Sequence, residues 1–205
     1  MKNLNIILAS ASPRRRTLLA QAGVRFTVHA ANVDESLTPE LLSSPEQAVS
    51  TLADRKAGSV TQELLTANTP GMHVIIGADT IVVLDGKLFG KPASRSDAKH
   101  MLRALSGRTH QVMTGVAVYM INAINPECVN VGRKVFVDTS DVTFRELTDV
   151  DIEAYLDKGE SFDKAGAYAV QGEGAALVER VDGAMDTVIG LPVGRLLDEF
   201  PDLAH

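Results

Sequence analysis

HVIIGADTIVVLDGKLFGKP, residues 73–92, is an apolar, β-branched run interrupted once by Asp79 and Thr80, then an Asp85-Gly86 pair, then a second short apolar run. Such a run, bounded by turn residues, reads as a buried strand, and Asp-Gly is a strong signal for a two-residue hairpin turn. Two further strand patterns follow one another directly, HQVMTGVAVYMI at 110–121 and RKVFVDTSDVTFRE at 133–146. A hairpin and an adjacent strand pair break a strict alternation of strand and helix, so the pattern predicts an α/β fold with a mixed sheet flanked by helices.

The remaining elements fit around that sheet. A first strand over 4–9 leads into LASASPRRRTLLAQAG, residues 8–23, where a helix over about 13–22 is expected to stop at Gly23. Phe26–Ala30 reads as a strand and NVDESLTPE, 32–40, as a polar loop. Ser44, Pro45 and Gln47 read as cap, first helical residue and capping box of a helix running to about Leu65, with Lys56 on its apolar side. Ser96–Leu105 is a helix closed by Gly107, and Thr148–Asp151 starts a short one ending near Gly159. AALVERV, 175–181, reads as a strand and Leu191-Pro192 as the opening of a last helix. No repeat, low-complexity tract or composition shift marks a linker, which predicts one domain over 1–205.

Composition narrows the function classes. The 205 residues are 45% hydrophobic and 22% charged, as in an ordinary globular protein with a core. A net charge of −6, scarce aromatics and no Trp argue against nucleic acid as partner, since a phosphate backbone calls for a basic face and single strands for stacking platforms. A lone cysteine, Cys128, fits a reducing compartment, and MKNLNIILAS is too short for a membrane span or signal segment, so a cytoplasmic protein away from membranes is expected.

Five features carry chemistry. Ser12 suits a helix N-cap and Pro13 the first helical position, yet Arg14 and Arg15 then occupy the first turn. A cation there opposes the helix dipole by ~0.3–1 kcal/mol; a bound anion reverses the sign, with a serine hydroxyl and guanidinium forks around it. The P-loop signature is absent. Asp79, set in an apolar strand, is desolvated unless a cation, metal or donor meets it. Lys56, Lys91 and Lys164, each a surface lysine if taken alone, lie near element ends, and Glu35 sits in an acidic loop. Gln171 precedes glycines that let backbone come close to a ligand, and its amide can read the edge of a base. The five histidines show no zinc spacing, so any metal would be a hard cation on carboxylates.

Together these stretches resemble the Maf family, the septum-formation-inhibitor-like nucleotide pyrophosphatases. The resemblance spans nearly the whole chain: LASASPRRRTLL, VDES, ADRKA, IIGADTIVV, GKP, LSGRTHQVMTGVAV, DVTFREL, FDKAGAYAVQG and IGLP, in that order. It implies a two-lobed α/β fold, a mixed sheet flanked by helices like that of inosine triphosphate pyrophosphatases. It also implies cleavage of nucleoside triphosphates to a monophosphate and pyrophosphate with a divalent cation, Mg²⁺ or Mn²⁺. By motif, Asp79 matches the proton acceptor. Arg14, Thr80 and Gln171 match the positions tied to substrate choice. Ser10, Arg15, Glu35, Lys56 and Lys91 match other polar positions around the phosphates and metal. The expected metal ligands are Glu35 and Asp79.

Thr80 and Gln171, in place of the Gln and Glu typical of the branch acting on 7-methyl-GTP, make the chain resemble the branch acting on dTTP and UTP. Ala169, where Gly is usual, and the longer 122–134 segment depart from the pattern. Of the three arginines, Arg14 and Arg15 are expected at the nucleotide and Arg16 in solvent. Three other readings stay open: another nucleotide preference such as CTP, a modified pyrimidine triphosphate, or a nucleotide-binding division regulator without turnover. Homodimers are frequent among related proteins, although no interface is legible in the sequence.

Overall fold

The computed structural model describes residues 4–125 and 127–204. Seven strands form one mixed sheet in the order β2-β1-β3-β5-β6-β7, with β4 paired to β3. β1 (Leu4–Leu8) runs parallel to β2 (Thr27–Val28) and to β3 (Gly71–Leu84). β4 (Lys87–Phe89), β5 (Thr109–Ala123), β6 (Asn130–Phe144) and β7 (Val178–Asp182) add antiparallel pairings.

The expected hairpin is present, with Asp85 and Gly86 at φ 52° and 75°, the left-handed pair its turn requires. The helices are α1 (Pro13–Gln21), α2 (Pro39–Leu42), α3 (Pro45–Thr66), α4 (Arg95–Leu105), α5 (Asp149–Asp157), α6 (Met185–Ile189) and α7 (Val193–Glu199).

The period-2 alternation of β3 decides what its side chains meet. Val74, Ile76 and Ala78 pack in a cluster with Leu19 of α1 and Leu196 of α7. Ile75 packs with Ala53, Ala57 and Val60 of α3 on the opposite face. Past Ile81 the strand enters a third cluster, where Val82 and Leu84 join Leu102 of α4 and Ile152 of α5. Small residues set the helix–sheet distance: a methyl group on Gly77 would lie 2.5 Å from the Ala53 carbonyl oxygen, and one on Gly115 2.5 Å from that of Val49. Helix α3 therefore rests directly on the β3–β5 backbone.

One edge of β3 is interrupted. β5 pairs along 71–83, but on the other edge β1 covers only Met72–Ile76 and β4 only Val82–Leu84. Among the described residues, none pairs as a strand with 77–81 on that edge. Asp79 and Thr80 lie in this gap, between the turn that leads from β1 to α1 and the one that leads from β4 to α4.

Some local expectations shift. β2 is two residues long, not five, since both its side chains are exposed and no apolar face extends it. Helix α2 begins at the end of the expected polar loop and runs two residues past it: Thr38 accepts the Leu41 amide, and Pro39 is its first residue. Ser44 precedes α3 but makes no side-chain cap bond, so the expected capping box is absent. Thr148 and Asp151 do form one, on α5. The 175–181 strand begins only at Val178, because Gly172–Leu177 coils into 3₁₀ turns. Pro126 of the 122–134 segment lies outside the described residues.

His110, 2% exposed, lies edge-on to Phe144 and Tyr168, with Nε2 2.7 Å from the Tyr168 hydroxyl. Burial pulls its pKa from 6.5 to about 4. The unfolded chain therefore takes up a proton at His110 that the folded chain refuses. The group's contribution is full above 6.5 and is lost as pH falls to about 4, a loss of ~3 kcal/mol. Urea unfolding at about pH 7 and about pH 4.5 should show this loss, and His110→Gln should show a shallower one.

Candidate active site

The gap in the sheet opens into a cleft of about 1020 Å³. Its walls contain all nine residues matched by motif: Ser10, Arg14, Arg15, Glu35, Lys56, Asp79, Thr80, Lys91 and Gln171. Arg16 is exposed and does not line it.

Asp79 and Thr80, adjacent on a strand, point to opposite faces and are met from opposite sides. On the α3 side, the Lys56 ammonium donates to Asp79 Oδ1 at 2.6 Å and contacts Glu35 Oε1 at 2.7 Å. The Lys56 and Asp79 side chains are only 12% and 15% exposed, so the pair is largely desolvated; that of Glu35 is half exposed. The hydrogen bond from Lys56 holds the Glu35 carboxyl below the usual carboxylate range, against a smaller opposing effect of burial.

On the α1 side, Arg15 reaches inward. Its Nε donates to the Gly190 carbonyl at 2.7 Å, one terminal nitrogen to Ser10 Oγ at 3.2 Å, and the other to Thr80 Oγ1 at 3.1 Å. Burial lowers the Arg15 pKa from its ordinary value, and the charge of Asp79 opposes that. The hydroxyl order follows from donor counting. Thr114 donates to the Thr187 carbonyl at 2.7 Å, so across the 2.9 Å Thr80–Thr114 contact it is Thr80 that donates. Thr80 thus spends its proton on Thr114 and one lone pair on Arg15. Its effect on a ligand passes largely through the guanidinium.

The helix N-terminus offers less than the sequence suggests. Ser10 Oγ accepts the Ser12 amide, Ser12 Oγ accepts the Arg15 amide at 3.5 Å, and Pro13 has none. Arg14, whose side chain is half-buried at the cleft, is the first-turn arginine without those inward ties.

Across the cleft lies the 160–172 segment. Its Glu160, Asp163, Lys164 and Tyr168 also line the site, and of these the sequence flagged only Lys164. Lys164 donates to the Glu160 carbonyl at 2.5 Å and to Asp163 at 2.6 Å. Gln171 is placed by its neighbours: Tyr168 is anchored on His110, and the Ala169 amide donates to the Tyr155 hydroxyl at 3.3 Å. The Gly166 amide donates to the Gly90 carbonyl at 3.0 Å, which ties this segment to the turn bearing Lys91.

Among the described residues no cluster of three or more His, Cys, Asp and Glu side chains could cage a metal ion by itself. Glu35 and Asp79, gathered on one ammonium, are hard oxygen donors. They suit a cation such as Mg²⁺, which commonly takes one or two carboxylates and completes its shell with phosphate oxygens and water.

A family model described as "Maf-like protein" matches residues 5–203. The chain belongs to the Maf family. Relatives include a dTTP/UTP pyrophosphatase of Bacillus velezensis, 44% identical over 95% of this chain and 96% of the relative. Another dTTP/UTP pyrophosphatase, from Bacillus anthracis, is 41% identical over 95% and 93%. Two solved structures align weakly. They are a nucleoside-triphosphatase / dITP/XTP pyrophosphatase of Mycobacterium abscessus (10% identity, 96% of this chain and 93% of that one, TM-score 0.42) and a Ham1 protein of Staphylococcus aureus (13%, 97% and 98%, 0.44). Within the Maf chain described here, no helix among the described residues is long and apolar enough to cross a membrane.

Proposed function

We propose that this protein hydrolyses dTTP and UTP between the α- and β-phosphates, releasing the monophosphate and pyrophosphate. The observation that carries the reading is the largely desolvated Asp79–Lys56 pair, joined by the half-exposed Glu35, in a cleft large enough for a nucleotide. Family relatives named dTTP/UTP pyrophosphatase, covering nearly the whole chain, support the substrate class.

In this account a water oxygen attacks the α-phosphorus, Asp79 takes its proton, and the bond from the α-phosphorus to the bridging oxygen breaks, leaving pyrophosphate. Lys56, Lys91 and Arg14 offset charge on the phosphates as the leaving group departs. Arg15, fixed by Ser10, Thr80 and Gly190, keeps two N–H donors for the ligand. Lys56 keeps Glu35 anionic, and Glu35 with Asp79 would hold the Mg²⁺ or Mn²⁺. When bound, that cation supplies charge neutralisation and polarisation at the phosphates. Gln171, a neutral amide, suits the donor and acceptor edge of an uncharged pyrimidine.

The test is a panel of nucleoside triphosphates in the presence of Mg²⁺, run on the wild-type chain and Gln171→Glu. The expected result is that dTTP and UTP lead for the wild type and that the variant loses ~10-fold or more in kcat/KM on them. Unchanged relative rates would remove Gln171 from base reading, and a different leading nucleotide would replace the substrate.

A further inference from the structure

Glu35 sits in a stretch, residues 29–38, with no regular secondary structure. The loop closes on itself: Asp34 accepts the Ser36 amide at 2.9 Å and the Ser36 hydroxyl at 2.6 Å. His29, at its start, donates its amide to the Leu8 carbonyl at 3.1 Å and meets Glu63 through its ring, and Ala31 packs on the core beside α3; beyond His29 the polar ties come from two adjacent residues of α3. Lys56 holds the Glu35 carboxylate. Arg55 holds the backbone on either side of it, a single terminal nitrogen donating to the Asp34 carbonyl at 3.1 Å and to the Ser36 carbonyl at 2.7 Å. Among the described residues these are the hydrogen bonds that residues 30–37 make outside their own loop.

We infer that Arg55 is a positioning residue: it clamps the two carbonyls flanking Glu35 and thereby sets that carboxylate against Lys56 and Asp79. A flexible chain of ten residues with its carboxylate half exposed samples many placements, and holding a reacting group in one placement is worth far more than a surface hydrogen bond. The guanidinium suits the task because it stays charged and offers two N–H bonds from one nitrogen. Arg55 touches no substrate in this arrangement; it acts through Glu35. The inference rests on the role given to Glu35 under the proposed function.

Two readouts test it on the full-length protein. In nitrogen-15 relaxation of the ligand-free chain, Arg55→Ala is expected to drop the backbone order parameters across residues 30–37 from near about 0.85 to below about 0.6. Unchanged order parameters there would overturn the clamp whatever the protein's activity. In a double-mutant cycle with dTTP at saturating Mg²⁺, Arg55→Ala is expected to lower kcat/KM about tenfold in the wild-type background and less than about twofold in the Glu35→Gln background. Arg55→Lys, which keeps a cationic donor, should recover about half of the loss.

Equal losses in both backgrounds would make Arg55 a general stabiliser, and no loss in either would leave it without a role; either result overturns the inference. If the wild type releases pyrophosphate from no nucleotide, the proposed function falls while the relaxation measurement still decides the clamp.

Discussion

Asp79→Asn should fold as the parent chain does and turn over dTTP ~10²–10⁴ times more slowly, the span expected for loss of a general base. The substitution keeps the size and shape of the side chain. The strand carrying it is held along 71–83 by β5, independently of the carboxylate. Lys56 keeps a partner in Glu35, so no buried cation is orphaned. A thermal melt close to that of the wild type, with kcat collapsed and dTTP still bound, is the expected pattern. Normal turnover by the folded variant would remove Asp79 from the chemistry.

The second large effect falls on a residue with no functional group. Gly77→Ala puts a methyl carbon 2.5 Å from the Ala53 carbonyl oxygen, 2.6 Å from the Ala57 amide nitrogen and 2.9 Å from Ala57 Cβ. The obstacles are mostly helix backbone, which cannot swing aside as a side chain can. Overpacking of this kind should cost about 3 kcal/mol of stability. Helix α3 must move away from β3, and Lys56 moves with it, away from Asp79. Activity should therefore fall more than the fraction of unfolded chain explains. Gly194→Ala, in α7, is the matched control: its methyl group would meet only Asp186 Oδ2, at 3.9 Å, and stability should stay within about 0.5 kcal/mol. Urea unfolding and dTTP hydrolysis, measured side by side on both variants, check the contrast.

What the sequence made legible followed short-range signals. The Asp85-Gly86 hairpin, the long β5–β6 pair and the Thr148 cap are written in neighbouring residues, and each is present. The nine polar positions were legible through motifs, and they converge on one cleft. The break in the β3 edge is not legible in the same way, because where β1 ends and β4 begins is a matter of register between separate segments of the chain.

Two finer readings also depended on distant contacts. The three arginines look alike in sequence, but Arg15 turns inward to a carbonyl 175 residues away, so its geometry could not be read from the helix start. Arg55 lies beside Lys56 in ADRKA, where only the lysine has a chemistry legible from sequence. Its partners are backbone carbonyls about 20 residues earlier, which no side-chain pattern advertises. The short helices α2 and α6, of four and five residues, lie below the length at which periodicity is a signal.

The proposed function requires this cleft to cleave a pyrimidine triphosphate between its first and second phosphates. Phosphorus NMR of purified protein incubated with dTTP and Mg²⁺ tests it most directly, because the products differ in kind. The expected products are dTMP and pyrophosphate, formed ~10²–10⁴ times more slowly with Asp79→Asn. Accumulation of dTDP and inorganic phosphate, or an unchanged dTTP spectrum with the wild-type protein, would contradict it.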